Sequence, residues 1–209
     1  MEDYYWLATR KSAPKEVLLP PSPVNASKDK DHIVEIVNNT IYFYSEVSRS
    51  KSLELNKAIN NLSVNLVNQT NLLKTKTTAN IYLHINSFGG SVFSALSTVD
   101  TIQSSKVPIY TLIEGCAASA ATLISIVGTR RAIRKNAFML VHQLSSGVWG
   151  KYEEQKDHMQ NNDLFMEVIK DMYGKYTKIP KKKLREMLKR DLWFDAETCL
   201  EYGLVDEII

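Results

Sequence analysis

A serine, a histidine and an aspartate stand in the order Ser119, His142, Asp191, each in a setting that could free its side chain for chemistry. Ser119 lies in Gly115-Cys116-Ala117-Ala118-Ser119-Ala120, between a strand-like run, Pro108 to Ile113, and an apolar helical run, Ala121 to Val127. The first turn of a helix has N–H groups without intrahelical partners and the positive end of the dipole. Such a junction stabilises an oxyanion, and a serine there is a nucleophile when a histidine reaches it. Serine before a helix is also a common N-cap, so Ser119 alone admits both readings. Met139-Leu140-Val141-His142-Gln143 ends an apolar strand in an imidazole, which either enters a cleft or packs in place. In Asn86-Ser87-Phe88-Gly89-Gly90-Ser91, two adjacent glycines permit positive φ and close approach of a ligand. A backbone N–H there can face a substrate carbonyl, although an ordinary tight turn uses the same residues.

Two carboxylates compete to partner the histidine. Asp195 precedes Ala196 to Tyr202, and Gly203 follows, which is the pattern of an N-cap and a C-terminal stop. Asp191 lies among Arg190, Leu192 and Trp193 without such a duty, and it takes the chemical role. Of the other histidines, His84 is the rival base, but its alternating position in a strand makes it a surface or pocket residue. The two cysteines, Cys116 and Cys199, form no C-x-x-C, and there is no H-E-x-x-H, so neither a metal site nor a cofactor is expected.

The elements that must position these groups alternate. Ile33 to Val37 and Thr40 to Val47 read as strands joined at the turn-prone Asn38-Asn39. Leu55, Ala58, Ile59, Leu62 and Leu66 give a helix stripe, followed by a polar connector from Asn68 to Asn80. Ile81 to Val92 reads as a strand, a glycine turn and the start of a helix with Val92, Ala95, Leu96, Val99 and Ile102 on one face, and with the strand and helix flanking Ser119 it predicts parallel strands with crossover helices. Ala132 to Arg134 and Met139 to Val141 add short strands. Tyr152 to Tyr176 reads as one long helix, whose stripe of Phe165, Val168, Ile169, Met172, Tyr173 and Tyr176 exceeds what a small core needs. Lys181 to Arg190 reads as a short basic helix with Leu184, Met187 and Leu188 inward. Residues 1–31 form a proline-rich leader, and 32–209 one α/β domain.

Length and composition fit that reading: 209 residues, 44% hydrophobic and 23% charged, suit one globular domain. A net charge of +3 gives no reason to expect nucleic acid. No apolar run reaches membrane-spanning length, and the start lacks a signal-peptide core. Two distant cysteines do not make a disulfide framework, and the expected compartment is the cytoplasm.

From about Ile41 to the C-terminus, four segments together resemble the proteolytic subunit of the ATP-dependent Clp protease. They are Asn-Ser-Phe-Gly-Gly-Ser, Gly-Cys-Ala-Ala-Ser, Val-His-Gln, and Arg-Asp before Tyr-Gly-Leu-Val-Asp. The resemblance implies a crotonase-like α/β fold of repeated ββα units, with a strand-plus-helix handle at about 145–176. It makes Ser119 the nucleophile, His142 the general base and Asp191 its orienting carboxylate, with the N–H groups of Gly90 and Ala120 as the oxyanion hole. It further implies a serine endopeptidase for unfolded polypeptides, built as seven-membered rings stacked in pairs. An AAA+ unfoldase partner would alone use ATP, and the handle stripe would meet an opposing ring.

Several positions depart from the family pattern. Phe88 and Leu144 stand where proline is usual, Ala120 replaces methionine, and Lys189 replaces an acid. His84 and Ser104 occupy two aromatic positions of the family's ATPase-docking pocket, while Tyr82 keeps its ring. The alternatives are a ring subunit with a regulatory, non-degradative role and a crotonase-fold enzyme stabilising a thioester enolate. Neither needs the Ser-His-Asp set.

Overall fold

Period-two burial sets the faces of an eight-stranded sheet in this computed structural model, which describes residues 33–74 and 79–209. The expected 1–31 leader lies outside the described residues. Strands β1 (Ile33–Val37) and β2 (Thr40–Tyr44) form the predicted antiparallel hairpin. Asn38 turns it at φ 56°, a left-handed conformation that asparagine tolerates.

Helix α1 (Arg49–Leu73) begins at Ser48, whose hydroxyl accepts the Lys51 N–H. It buries Leu55, Ala58 and Ile59. The helix continues to Leu73, past Asn68, the expected start of a polar connector. Its last turn has left the core, so the apolar period fades while the helix persists; Leu72 and Leu73 are exposed.

The predicted alternation follows as β3 (Ile81–Ser87), α2 (Val92–Ser104), β4 (Ile109–Ala118), α3 (Ala120–Ile126) and β5 (Arg130–Ile133). β2, β3, β4 and β5 are parallel neighbours. Ile41, Phe43, Ile81, Leu83, Ile85, Ile109 and Ile113 point one way and are buried. Alternate residues, Tyr42, Tyr82, His84 and Tyr110, are exposed or half-buried on the other face.

β4 is longer than the sequence suggests. Its first half pairs with β5, and Cys116–Ala118 pairs with β6 (Phe138–Leu140). Gly115, at φ 73°, lies between the two pairings, and a Cβ there would stand 3.1 Å from the Asn86 side chain. A side chain would therefore be strained at this fork.

Helix α4 (Tyr152–Tyr176) has the predicted limits. The strand expected over Ser145 to Gly150 does not form. Among the described residues no strand pairs with that segment, and two glycines weaken its extended state. Ser146 is instead held to α4 by His158 at 3.2 Å and Asn162 at 2.8 Å. The α4 stripe is also partly internal: Ile169 and Tyr173 are buried, and Phe165 packs edge-on against Phe93 at 5.0 Å.

Helix α5 (Lys181–Met187) turns Leu184 and Met187 inward, as predicted. β7 (Trp193–Phe194) pairs antiparallel with β6. α6 (Ala196–Glu201) leads to β8 (Glu207–Ile208), which pairs with β5. Arg131 ties these parts together. It donates to the Tyr176 carbonyl at 2.6 Å and the Gly203 carbonyl at 2.8 Å, and pairs with Asp206. Among the described residues, no helix is long and apolar enough to cross a membrane.

Candidate active site

Ser119 is the single residue between β4 and α3, with φ 53° and ψ −125°. A non-glycine residue at such angles costs on the order of 1–3 kcal/mol and persists only when its surroundings enforce it. The constraints are visible. Its N–H donates to the Leu140 carbonyl at 2.9 Å, and its carbonyl accepts from the Thr122 N–H at 3.0 Å and the Thr122 hydroxyl at 2.5 Å. The Thr122 hydroxyl also meets the buried Tyr173 hydroxyl, linking this turn to α4. Burial pushes the Tyr173 phenol up from its ordinary value, so it stays neutral. The Ser119 hydroxyl makes no cap hydrogen bond, which removes the helix-cap reading and leaves its oxygen free.

Gly89 presses on this turn. A Cβ at Gly89 would stand 2.6 Å from the Ala118 oxygen and 2.8 Å from the Ser119 Cβ. Next to it, Val47 pairs with Gly90: the Val47 N–H donates to the Gly89 carbonyl, and the Ser91 N–H to the Val47 carbonyl, both at 2.8 Å. This parallel pattern directs the Gly90 N–H away from Val47. Gly90 and Ala120 line the same cavity as Ser119.

His142 follows β6 by two residues, and β6 is the strand bonded to the Ser119 turn. Its neighbour Gln143 donates its N–H to the Leu188 carbonyl at 2.7 Å, fastening this strand end to the segment that carries Asp191. His142 Nδ1 stands 2.9 Å from Asp191 Oδ1. His142 Nε2 is buried and makes no hydrogen bond among the described residues. The Asp191 side chain is 80% exposed in the single chain. Asp195 accepts the Thr198 N–H at 2.9 Å and caps α6. Those hydrogen bonds hold its carboxyl below the usual range.

Ser119 and His142 together line two adjoining cavities. One runs toward α4 and is walled by Gly90, Val92, Ala120, Leu123, Ile169 and Tyr173. The other is walled by Phe88, Ala118, Leu140, Asp191 and Trp193. Of the five sequence-predicted site residues, Ser119 and His142 line both cavities, Gly90 and Ala120 the first, and Asp191 the second.

His84 lies elsewhere, on the open sheet face. Its Nδ1 lies 3.1 Å from Glu114, and Glu114 accepts from the Tyr44 hydroxyl at 2.6 Å and Arg134 at 3.0 Å. Burial works to raise the Glu114 carboxyl, but bonds from Tyr44, His84 and Arg134 outweigh it and hold it below the usual range. Burial and the Glu114 carboxylate push the Tyr44 phenol up to about 12. His84 is therefore engaged away from the cleft. Neither cysteine is poised as a nucleophile, since burial raises the Cys116 thiol and pushes Cys199 up to about 12. No group of three or more His, Cys, Asp or Glu side chains that could hold a metal ion occurs among the described residues.

The sequence reading missed the Thr122–Tyr173 brace and the facing of Phe88 by Trp193. The first had a local signal, a hydroxyl one turn after Ser119. The second had none, because it depends on strand β7 folding back onto β6.

The fold is mixed α/β, and its cleft gathers a serine, a histidine and a carboxylate. The Clp protease family profile matches residues 36–209, and the chain belongs to that family. It is 30% identical over 176 residues to an ATP-dependent Clp protease proteolytic subunit of Streptococcus mutans, covering 79% of this chain and 88% of that protein. It is 32% identical over 158 residues to proteolytic subunit 2 of that protease from Treponema denticola, covering 74% of this chain and 78% of that protein. The match to a Deinococcus radiodurans proteolytic subunit is 30% over 131 residues, 62% of this chain and 64% of that protein.

Proposed function

We propose that this chain is a serine endopeptidase that cuts unfolded polypeptides through an acyl-enzyme. The observation that carries the reading is the uncapped Ser119 hydroxyl on a strained turn, in a cleft it shares with a histidine paired to Asp191. In this mechanism the Ser119 oxygen attacks the scissile carbonyl carbon, and its proton passes to His142 Nε2. The carbonyl oxygen becomes an oxyanion held by the N–H groups of Gly90 and Ala120. The carbon–nitrogen bond then breaks, and His142 gives the proton to the departing amine. Water attacks the acyl-enzyme, losing its proton to His142. That proton returns to Ser119 as the carboxylic product leaves. Asp191 fixes the imidazole tautomer and stabilises its charged form. No cofactor takes part within this chain.

The relatives' names speak of an ATP-dependent protease with a proteolytic subunit, which supports work in an assembly with an ATPase. We extend that to this chain as stacked seven-membered rings of the same subunit around a chamber, fed by an unfoldase, in the cytoplasm. The apolar surface of the handle, with Val148, Trp149, Tyr152, Met159 and Leu164 exposed, supports an assembly contact there. The Glu114, His84 and Arg134 cluster gives the open sheet face a polar centre, which fits a docking pocket with altered chemistry.

Ser119→Ala removes one half-buried hydroxyl. It should lower hydrolysis of a quenched fluorescent peptide by three orders of magnitude or more, with thermal stability and native mass retained. Near-normal hydrolysis by the variant would remove Ser119 from the mechanism.

A further inference from the structure

We propose that Phe88 and Trp193 form the subsite for the residue just after the scissile bond, and that it takes a large apolar, above all aromatic, side chain. This rests on the peptidase reading. The two rings meet edge to face, 84° between planes and 6.4 Å between centroids, in the wall of the cavity lined by Ser119, His142 and Asp191. Yet Phe88 is 77% exposed and Trp193 44% exposed. Rings so open contribute little to the chain's own core. A third apolar group entering beside them would be taken out of water and gain aromatic contact geometry.

The catalytic elements themselves fix both rings. Phe88 directly precedes Gly89, which is wedged on the Ser119 turn, and stands two residues before Gly90. The residue before Phe88, Ser87, is buried and accepts the Gly89 N–H at 3.2 Å. Trp193 follows Asp191 by two residues and is paired with Leu140, two residues before His142. A substrate side chain held by this pair is therefore held in register with the nucleophile and the base.

The side of the bond follows from the two cavities. Gly90 and Ala120, the proposed oxyanion donors, wall the cavity that runs to Leu123, Ile169 and Tyr173. That cavity, the less open of the two, suits the acyl half. An extended peptide leaves a scissile bond in opposite directions, so the leaving half enters the cavity of Phe88 and Trp193. His142, whose Nε2 must protonate the departing amine, lines that cavity as well.

The test uses the full chain and internally quenched peptides that differ only in the residue after the scissile bond, Phe, Leu, Ala or Asp. Mass spectrometry verifies the bond cut. Wild type should favour Phe over Ala in kcat/KM by about tenfold or more, the scale of apolar-pocket discrimination. Phe88→Ala and Trp193→Ala should each bring the ratio below about threefold. A ratio taken within one enzyme cancels any general loss of activity. Phe88→Ala alone decides the matter if the tryptophan variant does not fold, since the Phe88 ring is largely outside the core. A wild-type ratio near one, or a ratio unchanged in the phenylalanine variant, overturns the subsite. Fluorophosphonate labelling of wild type separates the two levels. Labelled enzyme with a flat ratio overturns the subsite alone, while unlabelled enzyme overturns the peptidase reading and the subsite with it.

Discussion

Asp191 and Asp195 are four residues apart and do different physical work. One approaches an imidazole; the other closes a helix end. Asp191→Asn keeps the shape but no longer dictates the tautomer that leaves Nε2 open. We expect kcat to fall between about a hundredfold and ten-thousandfold. Asp195→Asn should leave kcat within about twofold, because asparagine caps as well as aspartate. Steady-state kinetics on the two variants checks the order, and equal losses would contradict the division of roles. At this scale the sequence was most legible where a residue's duty is local. The cap at Asp195 follows from its own neighbours. The free hydroxyl of Ser119 was less legible, because N-cap and nucleophile occupy the same place in a sequence. Only the backbone angles and the missing cap bond separate them.

Elements were readable where burial is periodic along one stretch of chain. β3, α2, α4 and the β1–β2 hairpin fall where the apolar spacing put them. Elements that depend on distant partners were not readable. β4 extends past Ile113 because β6 supplies a second partner, and residues 145–150 stay irregular, with no strand among the described residues pairing with them. Arg131 is another case of distant dependence, joining β5 to the end of α4, the turn after α6 and Asp206. Arg131→Met leaves two carbonyls and a carboxylate without their donor, at a cost of about 2–4 kcal/mol. Hydrogen bonding to Arg131 holds the Asp206 carboxyl below its usual range. The sign follows: this stabilisation is complete above about pH 4, the unfolded carboxylate's value, and fades as pH falls through the depressed folded value. Thermal melts should show a gap between wild type and Arg131→Met at neutral pH that narrows in acid. A gap that widens in acid would be the wrong sign.

At the scale of the whole molecule, the handle holds both core and surface. Ile169 is 5% exposed, so charging it tests folding and not assembly. The surface that a partner subunit would cover lies nearer the start of α4, around a fully exposed Trp149 and an exposed Leu164. Trp149→Glu combined with Leu164→Glu should lower native mass in sedimentation while the melting temperature of the subunit changes little. An unchanged mass would locate the contact elsewhere. The sequence signalled an oversized apolar helix, but it could not divide that surface between core and partner. The division depends on where α2 and α3 lie against α4.

The central claim is that Ser119 is the nucleophile of a Ser119–His142–Asp191 set. Its most direct measurement is peptide mapping of wild-type protein after reaction with a fluorophosphonate. The account predicts one adduct, on the peptide containing Ser119, formed at least about a hundredfold more slowly in His142→Ala. An adduct on another residue, or equal labelling without His142, would contradict it.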